Sequence, residues 1–216
     1  MRVERLDPAA FIRAQTRLMP VKSLPEIRLY TAHEATGLWR LNPRDDDDPP
    51  PPYWAFPWAG GLALARYIID TPDVVAGKRI LDLGAGSGLV AIAAAKAGAA
   101  QVSAAEIDPY GLAAIPLNAA ANGVVVTVVA GDITGGPAPD VDVVAVGDLF
   151  YEEALSKRVI AFLDRCLAAG ITVLIGDPHR AYLPYARLTK LAEYSVPDVG
   201  DVEGEAVNAS GVYRFT

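Results

Sequence analysis

The chain predicts an α/β fold: a seven-stranded, doubly wound sheet whose last strand runs antiparallel to the rest, preceded by an N-terminal helical and loop extension. Three observations carry this expectation. From Arg79 onward, short apolar runs alternate with alanine-rich helical stretches, the order that builds a sheet covered by helices on both faces. The first run ends in a turn carrying Gly84, Gly86 and Gly88 and passes straight into a helix. Segment 197–208, between the last two strands, is too short and Gly-rich for a crossover helix, so those strands should form a hairpin.

Taken in order, Asp7 and Pro8 read as N-cap and first-turn proline of a helix to about Leu18, stopped by Met19-Pro20. Residues 26–31 alternate charged and apolar positions as a short strand does. Residues 45–52 are four aspartates followed by four prolines, a run with no apolar face that reads as a solvated loop or spacer. It closes an N-terminal extension, 1–52, ahead of a main domain, 53–216. Tyr53, Trp54, Phe56 and Trp58 crowd in front of Gly60-Gly61 and a helix to Ile69. Strands are expected at 79–83, 101–106, 124–129, 141–147, 171–175, 191–196 and 211–215, and helices at 89–97, 109–121, 151–168 and 181–190.

Composition bounds the partners. The 216 residues, 52% hydrophobic, suffice for one sizeable core and are short for two. A net charge of −7 argues against nucleic acid, whose backbone is held by clustered Lys and Arg, and suits a basic partner such as a lysine-bearing protein. The single cysteine, Cys166, excludes an internal disulfide and reads as core. Without paired His and Cys spacing, no metal is expected. No run reaches the roughly 18 apolar residues of a membrane span. The early arginines, Arg2, Arg5, Arg13 and Arg17, are interleaved with Glu4 and Asp7, unlike an acid-poor transit peptide. The expectation is a cytoplasmic monomer with no membrane partner.

The glycine turn selects the ligand. A dinucleotide fingerprint is G-x-G-x-x-G, but here the third glycine comes one residue early and Leu89 fills its place, giving D-x-G-x-G-x-G led by Asp82. That pattern resembles motif I of the seven-stranded, Rossmann-like S-adenosylmethionine methyltransferases. Glu106, at the end of the second strand of the alternation and about 20 residues on, is placed to take both ribose hydroxyls, with Asp108 capping the next helix. Asp132 either meets the adenine amino group or forms an Asx-turn before Gly135-Gly136. Asp82, inside an apolar strand, needs loop amides or, through water, the methionine ammonium to offset its burial. These acids suit a cofactor with a positive amino end and no phosphate, favouring S-adenosylmethionine over NAD.

Gly147-Asp148-Leu149-Phe150-Tyr151-Glu152 follows the strand at 141–147, where the methyl acceptor should be chosen. The [Asn/Asp]-Pro-Pro-[Tyr/Phe] of adenine and glutamine methyltransferases is absent there, and Pro51-Pro52-Tyr53-Trp54 precedes the glycine turn, so it is a decoy. Asp-x-x-Tyr resembles the signature of the family 16 lysine methyltransferases. With the aromatic run at 53–58, the segment 147–152, Gly176-Asp177-Pro178-His179-Arg180 and Tyr182-Leu183-Pro184, the chain resembles the electron transfer flavoprotein β-subunit lysine methyltransferases and their bacterial relatives over about 52–184. The resemblance implies methyl transfer from S-adenosylmethionine to a lysine of that flavoprotein subunit.

Neutralising a free lysine at pH 7 costs about 4.6 kcal/mol. A normal carboxylate cannot remove that proton, so Asp148 is expected to orient the amine while the proton leaves to water; the competing role is an N-cap for the helix beginning near Tyr151. Trp54, Phe56, Trp58 and Tyr151 can wall the channel, Trp54 against the cofactor, or form only an apolar patch. Asp177 and Arg180 shape the channel or cap a helix, and His179 is not expected to be catalytic. Alternatives are another protein lysine, as in a ribosomal protein, and a non-catalytic S-adenosylmethionine-binding module, against which Asp148 and Tyr151 argue.

Overall fold

The computed structural model describes residues 7–32, 51–196 and 209–216. Asp7 accepts the Ala10 amide at 3.1 Å and starts α1 (Pro8–Gln15), with Pro8 in the first turn. The helix ends at Gln15 rather than near Leu18, because the following residues enter an antiparallel hairpin, β1 (Arg17–Val21) with β2 (Leu24–Thr31). Pro20 sits in β1, at the hairpin edge, where its missing N–H removes no interior ladder bond. The Asp/Pro run falls largely outside the described residues.

The main sheet grows from the expected alternation. After α2 (Ala59–Asp70) come β3 (Arg79–Leu83), α3 (Leu89–Lys96), β4 (Gln101–Glu106), α4 (Pro109–Ala121), β5 (Thr127–Ala130), β6 (Val143–Gly147), α5 (Glu153–Ala168), β7 (Thr172–Asp177), β8 (Leu188–Ser195) and β9 (Ala209–Phe215). The spatial order is β5-β4-β3-β6-β7-β9-β8. β3 to β7 pair in parallel, β9 runs antiparallel to β7, and β8 is antiparallel to β9. The direction of winding reverses between β3 and β6, and ligand crevices open at the carboxyl ends of such strands.

Strand side chains alternate between two cores. Ile80, Val143 and Ala145 face the layer of α2 and α3, whereas Leu81, Val144 and Val146 face α5, whose buried face includes Phe162, Leu163 and Cys166. Val21, Leu24, Ile27 and Leu29 of the hairpin join the first core. Two asparagines one turn apart secure it: Asn118 Oδ1 accepts the Tyr30 amide at 2.7 Å, and Asn122 pairs with both the N–H and the C=O of Arg28.

The helix expected at 181–190 does not form. Pro184 interrupts it, Tyr185–Arg187 makes a single tight 3₁₀ turn, and from Leu188 the chain pairs with β9, whose free edge offers a full row of backbone partners. Local helical spacing was outweighed by long-range pairing. Among the described residues, no helix is long and apolar enough to cross a membrane.

Candidate active site

The carboxyl ends of β3, β4 and β6 and the turn after β5 open onto a cavity of about 650 Å³. Gly84, Gly86 and Gly88 all take positive φ, 67°, 51° and 80°, a region in which L side chains are strained. Gly84 and Gly86 line the cavity. At Gly84 a Cβ would come within 2.7 Å of Leu149, so this glycine also lets the loop after β6 close over β3. Gly88 is the left-handed cap of α3 and sits behind the other two against Ile115.

Asp82 is buried, and its Oδ2 accepts the Ala91 amide in the first turn of α3 at 2.9 Å. The partner is therefore a helix N-terminus rather than the glycine loop. Burial dominates its titration and pushes the carboxyl up to about 7. Glu106 Oε2 accepts the Gly86 amide at 2.7 Å, while Oε1 accepts those of Ile107 and Asp108 at 2.6 and 2.9 Å. A carboxylate oxygen accepts more than one bond, so this clamp on the glycine turn retains capacity for a ligand in the cavity it lines. Asp108 caps α4 by accepting the Tyr110 amide. Asp132 forms the Asx-turn, with Oδ1 accepting both the amide and the hydroxyl of Thr134 at 2.8 and 2.6 Å. It also lines the cavity, and its Oδ2 lies 3.9 Å from Arg158.

At the other end, Asp148 occupies left-handed backbone at φ 58° and is 8% exposed. Its Oδ2 accepts the Gly60 and Gly61 amides, the latter at 3.3 Å, and its Oδ1 accepts Arg180 Nε at 2.9 Å. Asp148 thus satisfies the N-terminus of α2, not of α5; α5 begins after Glu152 without a side-chain cap. Close approach makes this possible. A Cβ on Gly60 would fall 2.3 Å from the Gly176 carbonyl oxygen, and one on Gly176 2.1 Å from that of Gly60.

Tyr151 stacks on Tyr53 at 5.4 Å and 29°, and Tyr53 meets Trp58 at 5.6 Å. Burial pushes the Tyr151 phenol well above its ordinary range, which keeps it protonated. Trp54 is fully buried, is stacked on Tyr110 at 5.8 Å and lines the cavity. Trp54, Asp82, Gly84, Gly86, Glu106, Asp132, Asp148 and Tyr151 thus line one cavity, whereas Gly88 does not.

The family model for ribosomal protein L11 methyltransferase (PrmA) matches residues 64–147, from within α2 to the end of β6. Relatives cover far more. The electron transfer flavoprotein beta subunit lysine methyltransferase of Rattus norvegicus is 36% identical across 97% of this chain and 85% of its own length, and that of Homo sapiens is 37% identical across 97% and 83%. The chain belongs to this family. The similarity to solved structures concerns the fold alone: the ribosomal protein L11 methylase of Lactobacillus delbrueckii subsp. bulgaricus superposes with TM-score 0.51 at 22% identity over 70% of this chain and 75% of its own. TrmN of Thermus thermophilus gives 0.52 at 23% over 72% and 49%.

In this methyltransferase the sequence reading left three contributors undervalued. Arg180 reaches back to Asp148 and lies 6.0 Å over the Trp58 ring. Tyr53, set aside with the decoy Pro-Pro-Tyr-Trp, is the stacking partner of Tyr151. Asn118, fully buried, donates to the Ser87 carbonyl and so ties the glycine loop to the hairpin. An asparagine in the middle of an alanine-rich helix was the only local sign of that role.

Proposed function

We propose that this chain transfers methyl groups from S-adenosylmethionine to a lysine side chain of the electron transfer flavoprotein β-subunit, acting in the cytoplasm as a monomer. The observation that carries the reading is the junction of two differently built ends in one cavity. One end has a glycine turn clamped by Glu106, with Asp82 and Asp132 beside it and, among the described residues, no cluster of cations for a pyrophosphate. The other has Asp148 and the aromatic group Tyr53, Trp58 and Tyr151.

S-adenosylmethionine supplies an activated methyl on a good leaving group. Glu106 would hold its ribose, Asp132 its adenine amino group, and Asp82 its ammonium through water. The chain's own task is then alignment and exclusion of water. Asp148 accepts a hydrogen bond from the arriving amine, the aromatic rings wall its path, and the lysine proton passes to solvent. Cation–π contact with Trp58 and the tyrosines holds a partly methylated ammonium for another round.

The L11 methyltransferase model stops at Gly147, one residue before Asp148. Its match is to the donor half, which supports a shared donor and says nothing of the acceptor. The deciding test incubates the enzyme with labelled S-adenosylmethionine and either the isolated flavoprotein β-subunit or ribosomal protein L11, followed by mass spectrometry. Methyl-lysine on the β-subunit is expected; label on L11 alone overturns the proposed substrate. Titration calorimetry should register the donor and its demethylated product but not NAD, and comparable NAD binding would sink the cofactor assignment.

A further inference from the structure

A bare carboxylate beside an incoming lysine is chemically awkward, because it stabilises the ammonium form, which has no lone pair to attack with. Asp148 is not bare. Its Oδ2 faces the N-terminus of α2, which carries partial positive charge, and its Oδ1 is ion-paired with Arg180 at 2.9 Å. A guanidinium stays charged at any working pH. Arg180 belongs to the cavity wall, its side chain about a quarter exposed, and lies over Trp58, so its charge faces the space an acceptor amine must enter.

The placement is built into the fold. The Arg180 amide donates to Asp177 Oδ1 at 2.6 Å, in a turn where His179 takes left-handed backbone at φ 70°. His179 itself is turned to Tyr185, its Nδ1 2.8 Å from the hydroxyl, and is no part of the cavity wall. Among the described residues lining the cavity, Arg158 is the other cation, and it sits beside Asp132 at the opposite end. Among the described residues, the groups facing the reacting end are Asp148 after β6, Tyr151 and Glu152 before α5, Tyr53 before α2, and Arg180 after β7 with the buried Asp177 beneath it. Asp82 and Glu106 stand across the cavity at β3 and β4.

We infer that Arg180 is the charge-balancing positioning residue of methyl transfer: paired with Asp148, it cancels the carboxylate's hold on the proton of the substrate lysine, while Asp148 keeps the geometry. This rests on the proposed reading of a protein lysine as acceptor. The ammonium first loses its proton to water. The Nζ lone pair then forms the N–C bond to the donor methyl as the C–S bond breaks, its electron pair remaining on sulfur, so the positive charge passes from sulfur to the methylated nitrogen.

The test is the pH dependence of single-turnover methylation of the flavoprotein β-subunit at saturating donor, from about pH 6.5 to 10, for the parent, Arg180→Gln, Arg180→Met and Arg180→Lys. The neutral variants should shift the rising limb to higher pH by on the order of one unit, the scale of one nearby, partly screened charge, and recover much of the parent rate at the alkaline end. Arg180→Lys should stay close to the parent profile. A neutral variant that is slower by one factor at every pH overturns the inference and leaves Arg180 a structural tether. Tighter protein-substrate binding with an unmoved profile also overturns it, making Arg180 a plug that the lysine displaces. If neither neutral variant folds, as judged by melting and donor affinity, a displaced Lys profile still overturns the inference, and an unmoved one supports it. Failure of the parent to methylate any protein lysine would instead refute the functional reading itself.

Discussion

At Asp148 two demands meet in one side chain, because it must hold the start of α2 and still present charge to the cavity. Asparagine separates them. It tolerates left-handed backbone and keeps an acceptor for Gly60 and Gly61 while losing the charge that pairs with Arg180. Asp148→Asn is therefore expected to leave donor affinity close to the parent, to lower melting temperature because its amide nitrogen then faces the Arg180 donor, and to slow single-turnover methylation on the order of 100-fold, the scale for losing one preorganised polar group at a reacting centre. Near-normal turnover would redirect attention to Tyr151 and Asp177. Glu106 offers the opposite dissection. Glu106→Ala removes the acceptor of three amides and the proposed ribose ligand, and calorimetry should register donor binding weaker by about 1.5–3 kcal/mol. Both acids were legible as candidates because each ends a strand of the alternation. Their partners were not legible: the amides that hold Asp148 lie 87 and 88 residues away.

Between elements, the contact of α2 with β7 sets the reacting end. Neither Gly60 nor Gly176 has room for a methyl group, since each would meet the other's carbonyl oxygen. Gly176→Ala should push α2 outward, destabilise the fold by about 1–3 kcal/mol, and reduce turnover more than donor affinity, because α2 carries the amides that fix Asp148. Thermal melting beside donor titration checks this; equal losses in turnover and affinity would refute the local coupling. The Asn118 joint predicts a second dependence. Asn118→Leu leaves the Tyr30 amide and the Ser87 carbonyl without their partner, so stability should fall by about 2–4 kcal/mol and donor binding should weaken through the loosened glycine loop. A variant as stable as the parent would show the hairpin to be held by Asn122 and its apolar contacts without Asn118. The elements themselves were unequally readable. Strands and helices from 79 to 168 follow from spacing, and most of β8 was expected as the strand at 191–196, whereas β1 and the start of β8 at 188–190 depend on pairing partners that a local pattern does not reveal; 181–190 therefore read as a helix and folded as a turn and the start of an edge strand.

Across the whole molecule, two buried acids, Asp82 and Asp177, are pushed up to about 7, chiefly by loss of hydration. Both favour the protonated form in the folded chain. Each therefore contributes stability that is fully present below the unfolded carboxyl value near about 4 and is lost as pH rises through about 7. Asp142, held near 2 by Arg79, acts in the opposite sense but only below about pH 4. Melting temperature should accordingly fall between about pH 4 and 7, and Asp177→Asn, which removes one titration outside the cavity lining, should flatten that slope; an unchanged slope would refute the assignment. The sequence by itself determined the fold class, the donor-type glycine turn and the acids around it, because period-2 and period-3.6 patterning and glycine spacing are properties of short segments. Only the tertiary structure decided what those groups touch. Asp148 paired to Arg180 across 32 residues, Asp82 on the amide of α3, and Asn118 between hairpin and glycine loop join segments remote in sequence. Such contacts depend on how helices and strands pack, and close packing is resolved in three dimensions rather than along the chain.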